Sequence, residues 1–301
     1  MAEGGGLGTP RERMLVLLSD FLNERSLDSH YLNAVPSKWE IHGDLALVPF
    51  GAFADWREFD DQSFWKLIAN ALGAERIGIK GEVSGDMRRP SVEMVLGDDG
   101  EVVHKEHGIS YCYDVTKSMF SAGNLPERGR MGDLDCSGET VLDLYAGIGY
   151  YTLPILVRAG AAKVHACEWS GDSLRALERG LAMNGVADRC VIHAGDNQDS
   201  IADDGSAAEA LSACDRVILG LLPSSERSWT LAMAAIKPEG GRLHLHGNAP
   251  GGQEQEWANQ VAHQLEMMSG RKVTIENLVK VKWYAPHKRH CVIDLVVGNM
   301  V

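Results

Sequence analysis

The chain has 301 residues, 45% apolar and 24% charged, with a formal net charge of −13. That balance suits a soluble globular protein of two domains, and no run of about 18 uninterrupted apolar residues is present to cross a membrane. Six cysteines (Cys112, Cys136, Cys167, Cys190, Cys214 and Cys291) are scattered without a CxxC pair, which argues against a zinc site and a disulfide framework and suits a reducing cytosol.

The first residues, MAEGGGLGTPRERM, hold no apolar core of signal-peptide type, so a cytoplasmic location is expected. In RERMLVLLSDFLNER, Met14, Leu15, Leu17, Leu18, Phe21 and Leu22 recur at helical spacing, and Pro36 closes the segment that follows. Residues 41–118 mix strand-like runs (DLALVPF, RIGIKGEV, SVEMVLG, EVVHKEHGISYCYDV) with one helix around Phe64–Leu72. The triplet DDG at 98–100 predicts a hairpin turn between two of these runs. Residues 1–117 are therefore expected to form an N-terminal helix and a small α+β domain. Residues 118–301 are expected to form a second domain.

After residue 139 short apolar strands alternate with helical patterns. The strands are TVLDLYA, KVHACEW, RCVIHAGD, CDRVILGLL and GRLHLHG, and the helices are YYTLPILVRAG, GDSLRALERGLAMNG, ERSWTLAMAAIK and QEQEWANQVAHQLEMMSG. Such alternation predicts an α/β fold with a mostly parallel sheet and helices on both faces. The last two runs, KVTIENLVKVKWYA and HCVIDLVVG, have no helix between them and predict a hairpin at the sheet edge.

Open α/β sheets bind ligands beyond the carboxyl ends of their strands. Three strand ends here carry candidates. Asp143 leads into Ala146-Gly147-Ile148-Gly149, where Gly147 and Gly149 let a ligand approach the backbone and the next helix offers free N–H groups. Glu168 ends the second strand, 25 residues later, where a carboxylate can accept both hydroxyls of a ribose. Asp196 and Asn197 end the third, where a carboxylate and an amide can read an adenine. Each signal alone is common, but in this order and at βαβ spacing they describe an adenosine site.

The third glycine of a dinucleotide fingerprint is replaced by Thr152. A pyrophosphate would be repelled by Asp143, whereas the sulfonium and ammonium of S-adenosylmethionine would not. S-adenosylmethionine is therefore the expected co-substrate, with no metal.

The segments MFSAGNLPERGRM (119–131), VLDLYAGIGYYTLP (141–154), VHACEW (164–169), NGVADRCVIHAGDN (184–197) and DRVILGLLPSSE (215–226) together resemble the tRNA wybutosine-synthesising protein 2 family. Its relatives are the tRNA guanine-37 N1-methyltransferases. The resemblance spans about residues 75–248 and leaves the first 70 residues unplaced. It implies a class I methyltransferase fold, Rossmann-like, behind a small N-terminal domain.

The resemblance also implies an unusual reaction. The 3-amino-3-carboxypropyl group of S-adenosylmethionine, not its methyl, moves to 4-demethylwyosine at position 37 of tRNA(Phe), releasing 5′-methylthioadenosine. By the same resemblance Ser121 and Arg128 lie over the cofactor, Glu168 holds the ribose, and Asp196 and Asn197 hold the adenine end. A guanidinium at Arg128 could clamp the carboxylate of the moving group bidentately.

After the fourth strand, Gly220-Leu221-Leu222-Pro223-Ser224-Ser225 lacks the Asn or acid that nitrogen-methylating relatives carry before the proline. That favours the aminocarboxypropyl transfer over guanine-37 N1-methylation. His244 and His246 alternate along the fifth strand, and one of them could line the pocket, though packing in the strand is the more ordinary role. Arg88, Arg89, Lys280, Lys282, Lys288 and Arg289, with Trp283 and Tyr284, are the expected tRNA contacts despite the overall acidity. Two further readings stay open. The chain is a cofactor-binding module without turnover, or it is one module of a larger wybutosine-pathway polypeptide.

Overall fold

In the computed structural model, which describes residues 8–59, 61–81, 91–201 and 205–300, helix α1 (Pro10–Glu24) starts at a reciprocal cap. The Thr9 hydroxyl accepts the Glu12 N–H at 3.3 Å, and the Glu12 carboxylate accepts the Thr9 N–H at 2.6 Å. Met14, Leu18, Phe21 and Leu22 form its buried stripe. Strands β1 (Glu40–His42) and β2 (Leu45–Val48) pair antiparallel. Helix α2 (Gln62–Leu72) then crosses over to β3 (Arg76–Lys80), which runs parallel to β2, and β4 (Val92–Leu96) closes the sheet in the order β1-β2-β3-β4. Asp61 caps α2 by accepting the Ser63 and Phe64 N–H groups, and Gly73 ends it at φ +71°. The core of this unit packs α1 and α2 with Phe53, Trp56, Val48 and Ile77.

The expected hairpin at 98–100 is not there. Among the described residues β4 pairs only with β3, while β5 (Glu101–Glu106) and β6 (Ile109–Asp114) make a separate two-stranded sheet. The tight turn is His107-Gly108, with φ of +50° and +79°. A two-residue hairpin loop of type I′ needs positive φ at both positions, which glycine adopts freely and histidine tolerates. Asp99 instead accepts the Glu101 N–H and the Arg76 guanidinium within the connection.

The chain divides into two units. The first is Met1–Lys105 with Cys112–Phe120, and the second is the hairpin tip Glu106–Tyr111 with Ser121–Val301. The expected 117/118 boundary falls within Cys112–Phe120, which groups with the first unit, and the hairpin tip groups with the second.

The second unit opens with α3 (Leu125–Gly132). It then alternates β7 (Thr140–Asp143), α4 (Thr152–Val157), β8 (Lys163–Glu168), α5 (Gly171–Met183), β9 (Cys190–Ala194), the short α6 (Asn197–Ser200), β10 (Arg216–Leu219), α7 (Trp229–Ala235), β11 (Gly241–Pro250), α8 (Glu254–Ser269), β12 (Val273–Ala285) and β13 (Lys288–Val297). The sheet order is β12-β13-β11-β10-β7-β8-β9. β7 to β11 are parallel, and β13 and β12 add antiparallel at the edge, as the sequence predicts. β7 and β10 are central, and their apolar residues are buried on both faces. One face packs on α7 and α8 through Leu243, Leu245, Trp229, Met233, Val261 and Leu265. The strand order reverses between β7 and β10, so the carboxyl ends of these strands border the crevice where such sheets hold ligands.

Candidate active site

The glycine turn leaves β7 at Asp143. Gly147 and Gly149 have φ of +57° and +95°, where an L side chain is strained, and a Cβ on Gly147 would stand 2.5 Å from the Tyr150 ring. Asp143 is fully buried and holds both ends of the turn. One carboxylate oxygen accepts the Thr152 hydroxyl at 2.8 Å and the other the Tyr145 N–H at 3.2 Å. Burial pushes its pKa up to about 6. Thr152, which in sequence only marks a missing third glycine, is thus the partner that fixes the turn.

Glu168 faces that turn from β8. Its Oε2 accepts the Gly147 N–H at 2.8 Å, and its Oε1 accepts Trp169 N–H at 3.0 Å and Ser170 N–H at 2.7 Å. Burial raises its pKa, opposed by these three donors. A carboxylate has about four acceptor positions. Three are filled, which leaves room for one ribose hydroxyl rather than the expected two.

At the end of β9, Asp196 accepts the Gln198 N–H at 3.0 Å and pairs with Arg227 at 2.6 Å. Burial alone would raise its pKa, but these two donors outweigh it and the net shift is downward. Asn197 departs from expectation. It is buried, its amide donates to the Leu144 carbonyl at 2.9 Å, and its oxygen accepts the Ser228 hydroxyl at 3.0 Å. Ser228 in turn bonds the Tyr145 hydroxyl at 2.7 Å. The Asn197 carboxamide therefore braces the glycine turn.

Arg128 also departs from expectation. It is 2% exposed, and its Nε and Nη2 lie 2.6 and 2.7 Å from the two oxygens of Glu106, while Nη1 donates to the Ser121 carbonyl at 3.0 Å. Glu106 thus holds the side-on edge of the guanidinium, and the Ser121 carbonyl takes a third N–H. Arg128 is a strut that fixes the Ser121 segment, and Glu106, far away in sequence, is its unannounced partner. The cation at the Ser121 side chain is Lys282, whose Nζ donates to the Ser121 hydroxyl at 2.6 Å.

The remaining basic residues are distributed less simply than the sequence suggests. Lys280 and Arg289 both approach Glu254, at 3.4 and 3.3 Å, and the Arg289 guanidinium lies 4.1 Å over the Trp283 ring. Trp283 is 57% exposed, Tyr284 is exposed, and Lys288 is exposed at the start of β13. Arg88 and Arg89 lie outside the described residues.

His244 and His246 are two apart on β11 and share a face rather than alternating. His244 Nε2 lies 2.6 Å from Arg216 and Nδ1 2.6 Å from Asp294. Arginine only donates, so Nε2 accepts and Nδ1 carries the proton. Burial lowers the pKa of His244 and keeps it neutral. Among the described residues no group of three or more His, Cys, Asp or Glu is placed to hold a metal, and no helix is long and apolar enough to cross a membrane.

The glycine turn at positive φ and the carboxylate on the next strand lie at the strand ends where such sheets hold ligands. The TRM5/TYW2 methyltransferase domain model matches residues 102–276, and the TYW2 N-terminal domain model matches residues 18–100. The chain belongs to the TYW2 family. It is 41% identical to the tRNA wybutosine-synthesizing protein 2 homolog of Danio rerio, covering 87% of this chain and 71% of that one. It is 44% identical to tRNA wybutosine-synthesizing protein 2/3/4 of Oryza sativa subsp. japonica over 95% of this chain, and spans 27% of that relative's length. The crystal structure of P. horikoshii TYW2 in complex with MeSAdo matches with a TM-score of 0.79 at 28% identity, covering 95% of this chain and all of that one. The α/β fold with a mostly parallel sheet and a smaller N-terminal unit is thus that of the TYW2 structures. The N-terminal stretch, unplaced in the sequence reading, falls largely within the TYW2 N-terminal domain.

Proposed function

We propose that this chain transfers the 3-amino-3-carboxypropyl group of S-adenosylmethionine to 4-demethylwyosine at position 37 of tRNA(Phe). The observation that carries the reading is the cradle of Gly147, Gly149 and Glu168 in a chain matched along most of its length by both TYW2 domain models. The MeSAdo of the P. horikoshii complex fits the methylthioadenosine this transfer would release. The rice relative's name, 2/3/4, supports the reading that such a chain also serves as one module of a larger polypeptide. A cytoplasmic location is part of the proposal.

The co-substrate supplies a sulfonium whose neighbouring carbons are electrophilic, and the protein's task is to choose which one meets the acceptor. Glu168 would take a ribose hydroxyl. Asp196 would face the adenine end, with Arg227 beside it. The buried Asp143 charge favours a cation at the turn. Ser121 and Lys282, rather than Arg128, would hold the amino-acid tail, since the Lys282 ammonium already sits at the Ser121 hydroxyl. The new carbon–carbon bond forms as the carbon–sulfur bond breaks, and the acceptor carbon gives its proton to solvent or a base.

The test uses S-adenosylmethionine labelled in the methyl group in one batch and in the carboxyl carbon in another, with tRNA(Phe) bearing 4-demethylwyosine. Carboxyl label in the tRNA with methylthioadenosine released is the expected result. Methyl label in the tRNA would replace the proposal with guanine-type N-methylation. Neither label, with tight cofactor binding, would point to a module without turnover.

A further inference from the structure

β10 stops at Leu219, opposite Leu245, but β11 runs on to Pro250. Residues 246–250 therefore stand beyond the end of the neighbouring strand, on the rim of the ligand crevice. His246 and Asn248, two apart, share one face. The ladder sets Asn248 opposite His290 and His290 opposite Lys282, so these three side chains stand in a row across β11, β13 and β12. One end of the row reaches Ser121 through Lys282. The other is tied to the loop after β10, because the Asn248 N–H donates to the Pro223 carbonyl at 3.0 Å. The His246 ring lies 4.7 Å from that of Tyr151, and a Cβ on Gly220 would meet Tyr151 at 3.2 Å.

The row holds more hydrogen-bonding capacity than its neighbours use. His246 Nδ1 and His290 Nε2 are 3.1 Å apart, and both residues are 1% exposed. Burial lowers both pKa values, that of His290 to about 4, so both rings are neutral at pH 7. A single N–H then lies between them. The two outer nitrogens, His246 Nε2 and His290 Nδ1, are always one donor and one acceptor. Among the described residues neither has a partner, and neither does the oxygen or the nitrogen of the Asn248 carboxamide. Four such buried atoms are costly unless something meets them, since a buried donor or acceptor left unmet loses its bonds to water without replacement.

We propose that Asn248, His246 and His290 form the subsite that reads the polar edge of the acceptor base, a fused heterocycle with carbonyl and ring-nitrogen groups. The proposal rests on the tRNA-base transfer reading above. It places the acceptor between the Ser121–Lys282 pair and the Pro223 loop, and it assigns recognition to paired donors and acceptors rather than to charge. A site built to bond a polar edge rejects an analogue that lacks it, because its own buried groups are left unmet.

The experiment compares two tRNAs that differ only in the target base, 4-demethylwyosine or guanosine, by equilibrium competition binding to the full chain. The wild type is expected to prefer the tricyclic base, and Asn248→Leu and His290→Phe to bring the affinity ratio toward one. kcat/KM for transfer should fall about 10- to 100-fold, with cofactor affinity held. Asn248→Asp, which keeps an acceptor, should retain part of the preference and serves if the leucine variant does not fold. No preference in the wild type, or an unchanged ratio in these variants, overturns the proposal. Absence of carboxyl-label transfer by the wild type would instead overturn the function reading, since the binding ratio is read without turnover.

Discussion

Asp143 carries a cost that a single substitution should expose. Its pKa moves from an ordinary 3.8 to about 6 because the carboxylate is buried, with one hydroxyl and backbone N–H groups as partners. About 2 units correspond to about 3 kcal/mol. The sign follows from proton binding. Between pH 4 and 6 the folded state binds the proton that the unfolded state has lost, so stability falls as pH rises through that window. Above it the full cost remains. Below about pH 4 both states are protonated and the cost is gone.

Asp143→Asn keeps the shape and removes the charge. The Thr152 hydroxyl can turn to accept from the new amide, an exchange worth about 1 kcal/mol at most. The expected net is about 2 kcal/mol of added stability at pH 7.5 and none, or a slight loss, at pH 4. Equilibrium urea unfolding of both proteins at the two pH values measures it. In the same variant, affinity for S-adenosylmethionine should fall, since the turn loses its attraction for a cation. A variant less stable than the wild type at pH 7.5 would refute the burial argument.

Four further outcomes are expected. Glu168→Gln turns one of the two acceptor oxygens into an amide, so either the Gly147 N–H or the Trp169 and Ser170 N–H groups lose their acceptor, and cofactor affinity by calorimetry should weaken about 10- to 100-fold. Removing one member of the buried Arg128–Glu106 pair should destabilise by about 3–5 kcal/mol, while Arg128→Met with Glu106→Leu recovers much of it, as a double-mutant cycle in urea would show. Lys282→Met should weaken cofactor binding about tenfold because it loses the cation beside Ser121. Lys288→Gln, exposed on the hairpin, should leave cofactor affinity alone and lower the salt slope of tRNA binding by about one; an unchanged slope removes Lys288 from the interface.

Much of the catalytic unit could be read from local pattern. The alternation of strand and helix, the glycine turn after Asp143, and the acids at the ends of β8 and β9 are spaced along a few dozen residues each. Their geometry follows from strand and helix periods and from the need for positive φ at Gly147 and Gly149. The misplaced hairpin shows the limit of that method. DDG and HG are both turn-forming, and only the pairing of β4 with β3 and of β5 with β6 tells which of them turns a hairpin.

The partners of the site residues were decided by tertiary structure. Arg128 could be read as a ligand clamp because Glu106 lies 22 residues away on a different element. Asn197 looked like an adenine reader until β7 brought the Leu144 carbonyl to it. The row of Asn248, His290 and Lys282 exists only because β13 inserts antiparallel between β11 and β12, and one residue of register slip would turn each side chain to the other face. Local sequence selects which backbone conformation each segment can hold. Whether a charged or polar side chain is free to meet a ligand depends on what the fold packs against it, and those neighbours come from strands and helices far apart in the chain.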